Sequence, residues 1–151
     1  MPDRETMKRA KADVRRGKSK STAAGEFVRE EMDHIREGKH GARSAKQAIA
    51  IGLSKARRAG VPLGAPKRGA SARTRKSAER ELEAGKHPHK PSRKRSRAVE
   101  RALEREPHRA ASHRALSAQA HRTAARRGAA ARRASARKAA RTRARNQRRH
   151  R

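Results

Sequence analysis

SAKQAIAIGLSKARRAG, residues 44 to 60, is the stretch on which the fold turns. Ser44 followed three positions later by Gln47 is a capping box: the serine oxygen can satisfy a free amide of the first turn, and the glutamine can reach back. Ala45, Ala48, Ile49, Gly52, Leu53 and Ala56 then fall at i, +3, +4, +7, +8 and +11, one apolar face at helical spacing. Gly60 can take the left-handed conformation that closes a helix, and Val61-Pro62 ends it. Glycine inside a helix costs about 1 kcal/mol against alanine, so Gly52 on the apolar face predicts the close approach of a second helix. The stretch reads as a packing helix. Lys55 lies off its apolar face, where truncation to alanine is expected to matter little.

Two further helices precede it. Pro2, then Met7, Ala10 and Val14 at helical spacing with Gly17 as a stop, predict a first helix over about residues 3–16. A second is expected from a cap at Ser21 or Thr22 to Gly38, with Ala24, Phe27, Val28, Met32 and Ile35 as its apolar stripe. The link Gly38-Lys39-His40-Gly41-Ala42-Arg43 suits either an antiparallel hairpin or an angled helix-turn-helix. The expected fold is therefore all-α: a small two- or three-helix module, then a basic tail that is partly helical or disordered. Its structural core is expected from Val28, Met32, Ile35, Ala48, Ile49, Gly52, Leu53 and Ala56.

The distribution of bulky apolar residues limits how much more can fold. Alanine apart, there are sixteen, and twelve lie at or before Leu63; only Leu82, Val99, Leu103 and Leu116 serve the remaining 88 residues. Burying one such side chain contributes about 1.5–3 kcal/mol, while ordering each residue costs about 1–2 kcal/mol. The second part cannot offset its own ordering alone. Charge runs the opposite way: residues 1–60 carry 16 basic and 8 acidic groups, 61–110 carry 15 and 6, and 111–151 carry 14 and none. The expected organisation is a helical module over 1–64, a basic linker with weak helices over 65–110, and an Ala/Arg-rich tail over 111–151. Polar helices are expected at about 71–84, 92–106 and 108–127. Residues 75–87 and 98–103 faintly echo 28–40 and 48–53, pairing Ile35 with Leu82, Gly38-Lys39-His40 with Gly85-Lys86-His87, and Ile49 and Leu53 with Val99 and Leu103. A degenerate repeat and chance in a biased composition explain this about equally well.

Enzyme signatures are absent: there is no phosphate-binding loop, no H-E-x-x-H and no nucleophile elbow. No catalysis, cofactor or small-molecule substrate is expected. Glu30, Glu31, Asp33 and Glu37 read as a solvated face of the second helix, paired with Arg29 and Arg36. His34 with His40, and His87 with His89, raise the question of a metal; surface histidine is the preferred reading, because zinc sites usually need four convergent ligands. Zero cysteines remove disulfides and thiolate sites. The charged start, MPDRETMKRAKADVRRG, lacks a signal-peptide core, and the longest apolar run, AIAIGL, falls far short of the about 20 residues that span a bilayer. A cytoplasmic protein without a membrane partner is expected.

The basic residues carry the functional reading. A net charge of +31, with a last segment free of acid, predicts a polyanionic partner. Arg outnumbers Lys 32 to 13, which favours bidentate phosphate contacts. Phe27 is the only aromatic of the Phe, Tyr and Trp set, so stacking of single-stranded bases is not to be expected. Duplex DNA is favoured over RNA. The candidate contacts are Arg93, Lys94, Arg95 and Arg97, then Arg126, Arg127, Arg132, Arg133, Arg137, Lys138, Arg141, Arg143, Arg145, Arg148 and Arg149. The expected function is sequence-tolerant DNA binding of the nucleoid-associated, histone-like type. The alternatives are an RNA-binding structural component, such as a ribosome-associated protein, or a protein with an acidic protein partner.

The helix Lys46 to Arg57, written K-Q-A-I-A-I-x-L-S-x-A-R, follows an M-x-x-F/I-x-x-G segment at Met32 to Gly38. Over residues 28–62 this resembles a family of small, uncharacterised bacterial and phage proteins. The resemblance implies no activity; family members often have Glu where this chain has Lys55. By composition alone, the tail is similar to those of linker histones.

Overall fold

The computed structural model describes residues 2–66, 70–87 and 92–149, and all regular structure among them is helical. The first three helices are α1 (Arg4–Arg15), α2 (Lys20–Arg36) and α3 (Ala45–Arg58). α2 starts earlier than expected. Its cap is Ser19, which accepts from the Thr22 amide at 3.2 Å, and its hydroxyl lies 2.8 Å from those of both Ser21 and Thr22. At α3 the Ser44 hydroxyl accepts from the Gln47 amide at 3.2 Å, and Gln47 Oε1 accepts from the Arg43 amide at 2.9 Å. Gly60, at φ +83°, closes the helix in the left-handed region.

The three helices meet around Phe27, which is buried with Ala10, Ala23, Ala24, Ala56 and Val61 and flanked by Met7, Leu53, Ala59 and Leu63. α2 and α3 cross at Gly52. A methyl there would stand 2.7 Å from Val28 Cα and 3.0 Å from the Phe27 carbonyl oxygen, so the glycine allows backbone to meet backbone. Met32, Ile35, Ala48, Gly52 and Ala56 are buried, whereas Val28, Ile49 and Leu53 are half-buried.

The segment read as a linker contributes to this core. α4 (Ala72–Lys86) packs on α3. Ala78 is buried, Gly85 sits against the Arg57 carbonyl, and the Arg57 guanidinium contacts Glu81 at 3.2 Å while donating to the Leu63 carbonyl. After α5 (Arg93–Glu104), a 3-10 turn over His108–Ala111 buries Ala110 and Ala111 and packs on α2 and α3. The Gly41 amide donates to the Leu103 carbonyl at 2.9 Å, Ala42 to Pro107 at 3.1 Å, and Arg36 Nε to Ala111 at 3.2 Å. The compact unit thus runs from residue 1 to 115, and residues 116–151 form a second. The physical reason is alanine. Counting bulky side chains misses a core built largely from small residues and close backbone approach.

The two echoing segments differ in local structure. Gly38 ends its helix at φ +76°, whereas Gly85 lies inside α4. α5 buries no residue, and Val99 is 54 % exposed.

The acidic face of α2 is not solvated as expected. Glu30 and Glu31 are buried, because α3 covers them and supplies Lys55: its Nζ lies 2.6 Å from Glu31 Oε2 and 3.7 Å from Glu30 Oε1. Lys55 is therefore the counter-ion of two buried carboxylates, not a bystander. Asp33 does pair with Arg36, at 3.3 Å, but Arg29 pairs with Glu26 and Glu37 with Lys39.

Candidate nucleic-acid interface

α5 opens with Arg93, Lys94, Arg95 and Arg97, all exposed. Positive side chains at a helix N-terminus oppose the macrodipole, which already places about half a positive charge there. The free amides and four cations together make a local positive field that favours an anion. Arg73, Arg75 and Lys76 repeat this pattern at the start of α4, again exposed. They are absent from the sequence-derived candidates; the available signal was their clustering ahead of Glu79, Glu81 and Glu83.

α6 (His113–Arg149) holds the remaining candidates. Gly128 breaks it, at φ 71° and ψ 165°, a region essentially confined to glycine. Arg126 and Arg127 precede the break; Arg132, Arg133, Arg137, Lys138, Arg141, Arg143, Arg145 and Arg148 follow it, all exposed. Arg149 is the last helical residue, and its side chain lies outside the described part, as does His89. At about 100° per residue, the cations after Gly128 fall in a broad arc from Arg133 round to Arg149 and a narrow, opposing one at Arg132 and Arg143. Two strips between them carry no cation, one with Ser135, Ala139, Thr142 and Asn146 and the other with Ala129, Ala136, Ala140 and Gln147. Such a helix can meet phosphates on two opposing sides.

Ion pairing separates the two charged populations. Among the described residues, every ion pair lies between residues 3 and 87, and none engages a cation of α5 or α6. Of the acids present, Glu81 is spent on Arg57, and Glu83 is held below its ordinary range by its hydrogen bond and attraction to Lys86. Phe27, 1 % exposed, offers no stacking surface. No described helix is long and apolar enough to cross a membrane. No family model, no curated protein and no solved structure matches the chain.

Proposed function

We propose that this protein is a non-enzymatic, largely sequence-independent binder of duplex DNA, of the nucleoid-associated type, which grips phosphates with α6 and the first turns of α5. The observation that carries the reading is the acid-free set of cations on α6, exposed and without an ion-pair partner among the described residues. Residues 129–149 carry nine cations over 21 residues, about 31 Å at 1.5 Å per residue. That is one per about 3.5 Å, against one phosphate per about 3.4 Å along a DNA strand. A helix of about 10–12 Å diameter also fits a major groove about 12 Å wide. Arginine dominates the set, which suits bidentate phosphate contacts. Nothing in α6 resembles a fixed base-reading surface, so discrimination among sequences is expected to stay well below about 10³-fold.

Competition binding tests the proposal. Labelled duplex DNA is bound to the full chain and challenged with scrambled duplexes, single strands and ribosomal RNA. Scrambled duplexes should compete equally and single strands poorly. A short duplex that outcompetes its scrambled versions by about 10³-fold would refute sequence tolerance, and preferential capture by ribosomal RNA would replace DNA with RNA.

A further inference from the structure

The second half of α2 and the turn after it bring Glu31, His34 and His40 together, with one ligand atom of each within 4.8 Å of the others. The histidines expected at the surface are largely covered: their side chains are 14 and 15 % exposed, and that of Glu31 is 0 %. Asp3 and Glu30 approach His34 within the same distance. We propose that Glu31, His34 and His40 form a binding site for one divalent transition-metal cation of the zinc class.

Three observations converge on this site. The first is an orphaned pair of lone pairs. His40 Nδ1 lies 3.1 Å from the Gly41 carbonyl oxygen, which can only accept, so Nδ1 carries the proton. In the neutral ring Nε2 then presents a lone pair to Glu31 Oε1, 3.3 Å away, and that oxygen is buried with no hydrogen-bond donor. A proton on Nε2 or a metal cation between the two atoms resolves the repulsion, and the two compete for the same lone pair. The second is the support behind the ligand: a metal-binding imidazole typically donates its other N–H to a carbonyl or carboxylate, the arrangement His40 already has. The third is charge. With neutral imidazoles, Asp3, Glu30 and Glu31 against Lys55 leave the cluster at −2, the complement of one divalent ion. Lys55 holds Glu31 Oε2, at 2.6 Å, which leaves Oε1 for the metal.

The geometry selects the class of ion. Zinc bonds to nitrogen and oxygen of about 2.0–2.2 Å place tetrahedral neighbours about 3.3–3.6 Å apart. Glu31 Oε1 and His40 Nε2 already stand at 3.3 Å, and coordination requires His34, whose ligand atom lies within 4.8 Å of both, to move inward. Two imidazoles and one carboxylate suit zinc and its first-row neighbours and leave a fourth position for water. An all-oxygen shell for calcium or magnesium is not provided.

The test uses the full chain stripped with chelator, titrated with zinc chloride by calorimetry and with cobalt(II) by visible absorption. One equivalent per chain should bind, with the cobalt spectrum of a low-coordinate site. Glu31→Gln and His40→Gln should each weaken zinc by about tenfold or more, whereas His87→Gln and His121→Gln, at exposed positions, should leave it unchanged. Lys55→Met supplies a second readout that does not depend on the folding of a ligand variant. It should lower the thermal midpoint of the stripped protein, bind zinc more tightly than the parent, and regain its midpoint when zinc is added. Absent or non-saturating binding would overturn the proposal. So would saturable binding that ignores Glu31→Gln and His40→Gln, or a destabilised Lys55→Met that zinc does not rescue.

Discussion

Replacing Gly52 by alanine sets two effects of known size against each other. Helix propensity favours alanine by about 1 kcal/mol. Packing opposes it, because the new methyl meets Val28 Cα at 2.7 Å and the Phe27 carbonyl oxygen at 3.0 Å. Restoring an ordinary carbon–carbon contact of about 3.5 Å forces α2 and α3 apart by about 0.8 Å, and a gap of that order forfeits about a quarter to a half of each contact's attraction. Overpacking typically costs about 1–3 kcal/mol. Here the obstruction is backbone, which cannot swing aside, so the upper end applies and the net loss is about 2 kcal/mol. Gly25→Ala is the internal control: it lies on α2 with nothing within 4 Å of an added methyl, and should stabilise by about 0.5–1 kcal/mol. Urea unfolding of the full chain, followed by circular dichroism, reads both midpoints. Gly52→Ala that matches or exceeds Gly25→Ala in stability would refute the crossing at Gly52.

Other perturbations follow from the same contacts. Lys55→Ala, measured in chelator, should cost about 2–3 kcal/mol, less than the 3–5 of a fully buried pair because Lys55 remains 26 % exposed; a loss below about 0.5 kcal/mol, typical of an ordinary surface position, would contradict its role as counter-ion. A peptide of residues 116–151 should gain helix with salt or duplex DNA, since Arg133/Arg137, Arg137/Arg141 and Arg141/Arg145 are like-charge pairs that each cost about 0.2–0.5 kcal/mol. Helix content that does not rise would argue against phosphate neutralisation along α6.

Local signals in the sequence were strong where they were unique. Ser44 with Gln47, Gly60 before Val61-Pro62, and Gly52 on an apolar face each admit one reading, and the helix ends and the close crossing follow. Ser19, Ser21 and Thr22 offer three caps within four residues, so the start of α2 was not resolvable. The docking of α4 was hidden for a different reason: it depends on Ala78, Gly85 and the backbone of Arg57, small groups that a count of bulky side chains weighs at nothing. The burial of Glu30, Glu31, His34 and His40 is not legible in the sequence because their surroundings are not local. Lys55 arrives from α3 and Asp3 from the chain start, and spacing along α2 alone carries no trace of either.

The salt dependence of duplex DNA binding tests the central claim most directly. Residues 111–151 carry 14 cations and no acid; with about half engaged, log affinity against log salt should fall with a tail contribution of about −6, from about −0.9 per neutralised phosphate. Isotherms at several salt concentrations are compared for the full chain and for residues 1–115, the first compact unit. Removing residues 116–151 should flatten the slope by about 6 and weaken binding to every sequence alike, with the thermal unfolding of the remaining unit unchanged. A slope that survives the truncation would show that the phosphate contacts lie elsewhere, and the assignment of α6 as the DNA-binding element would fall.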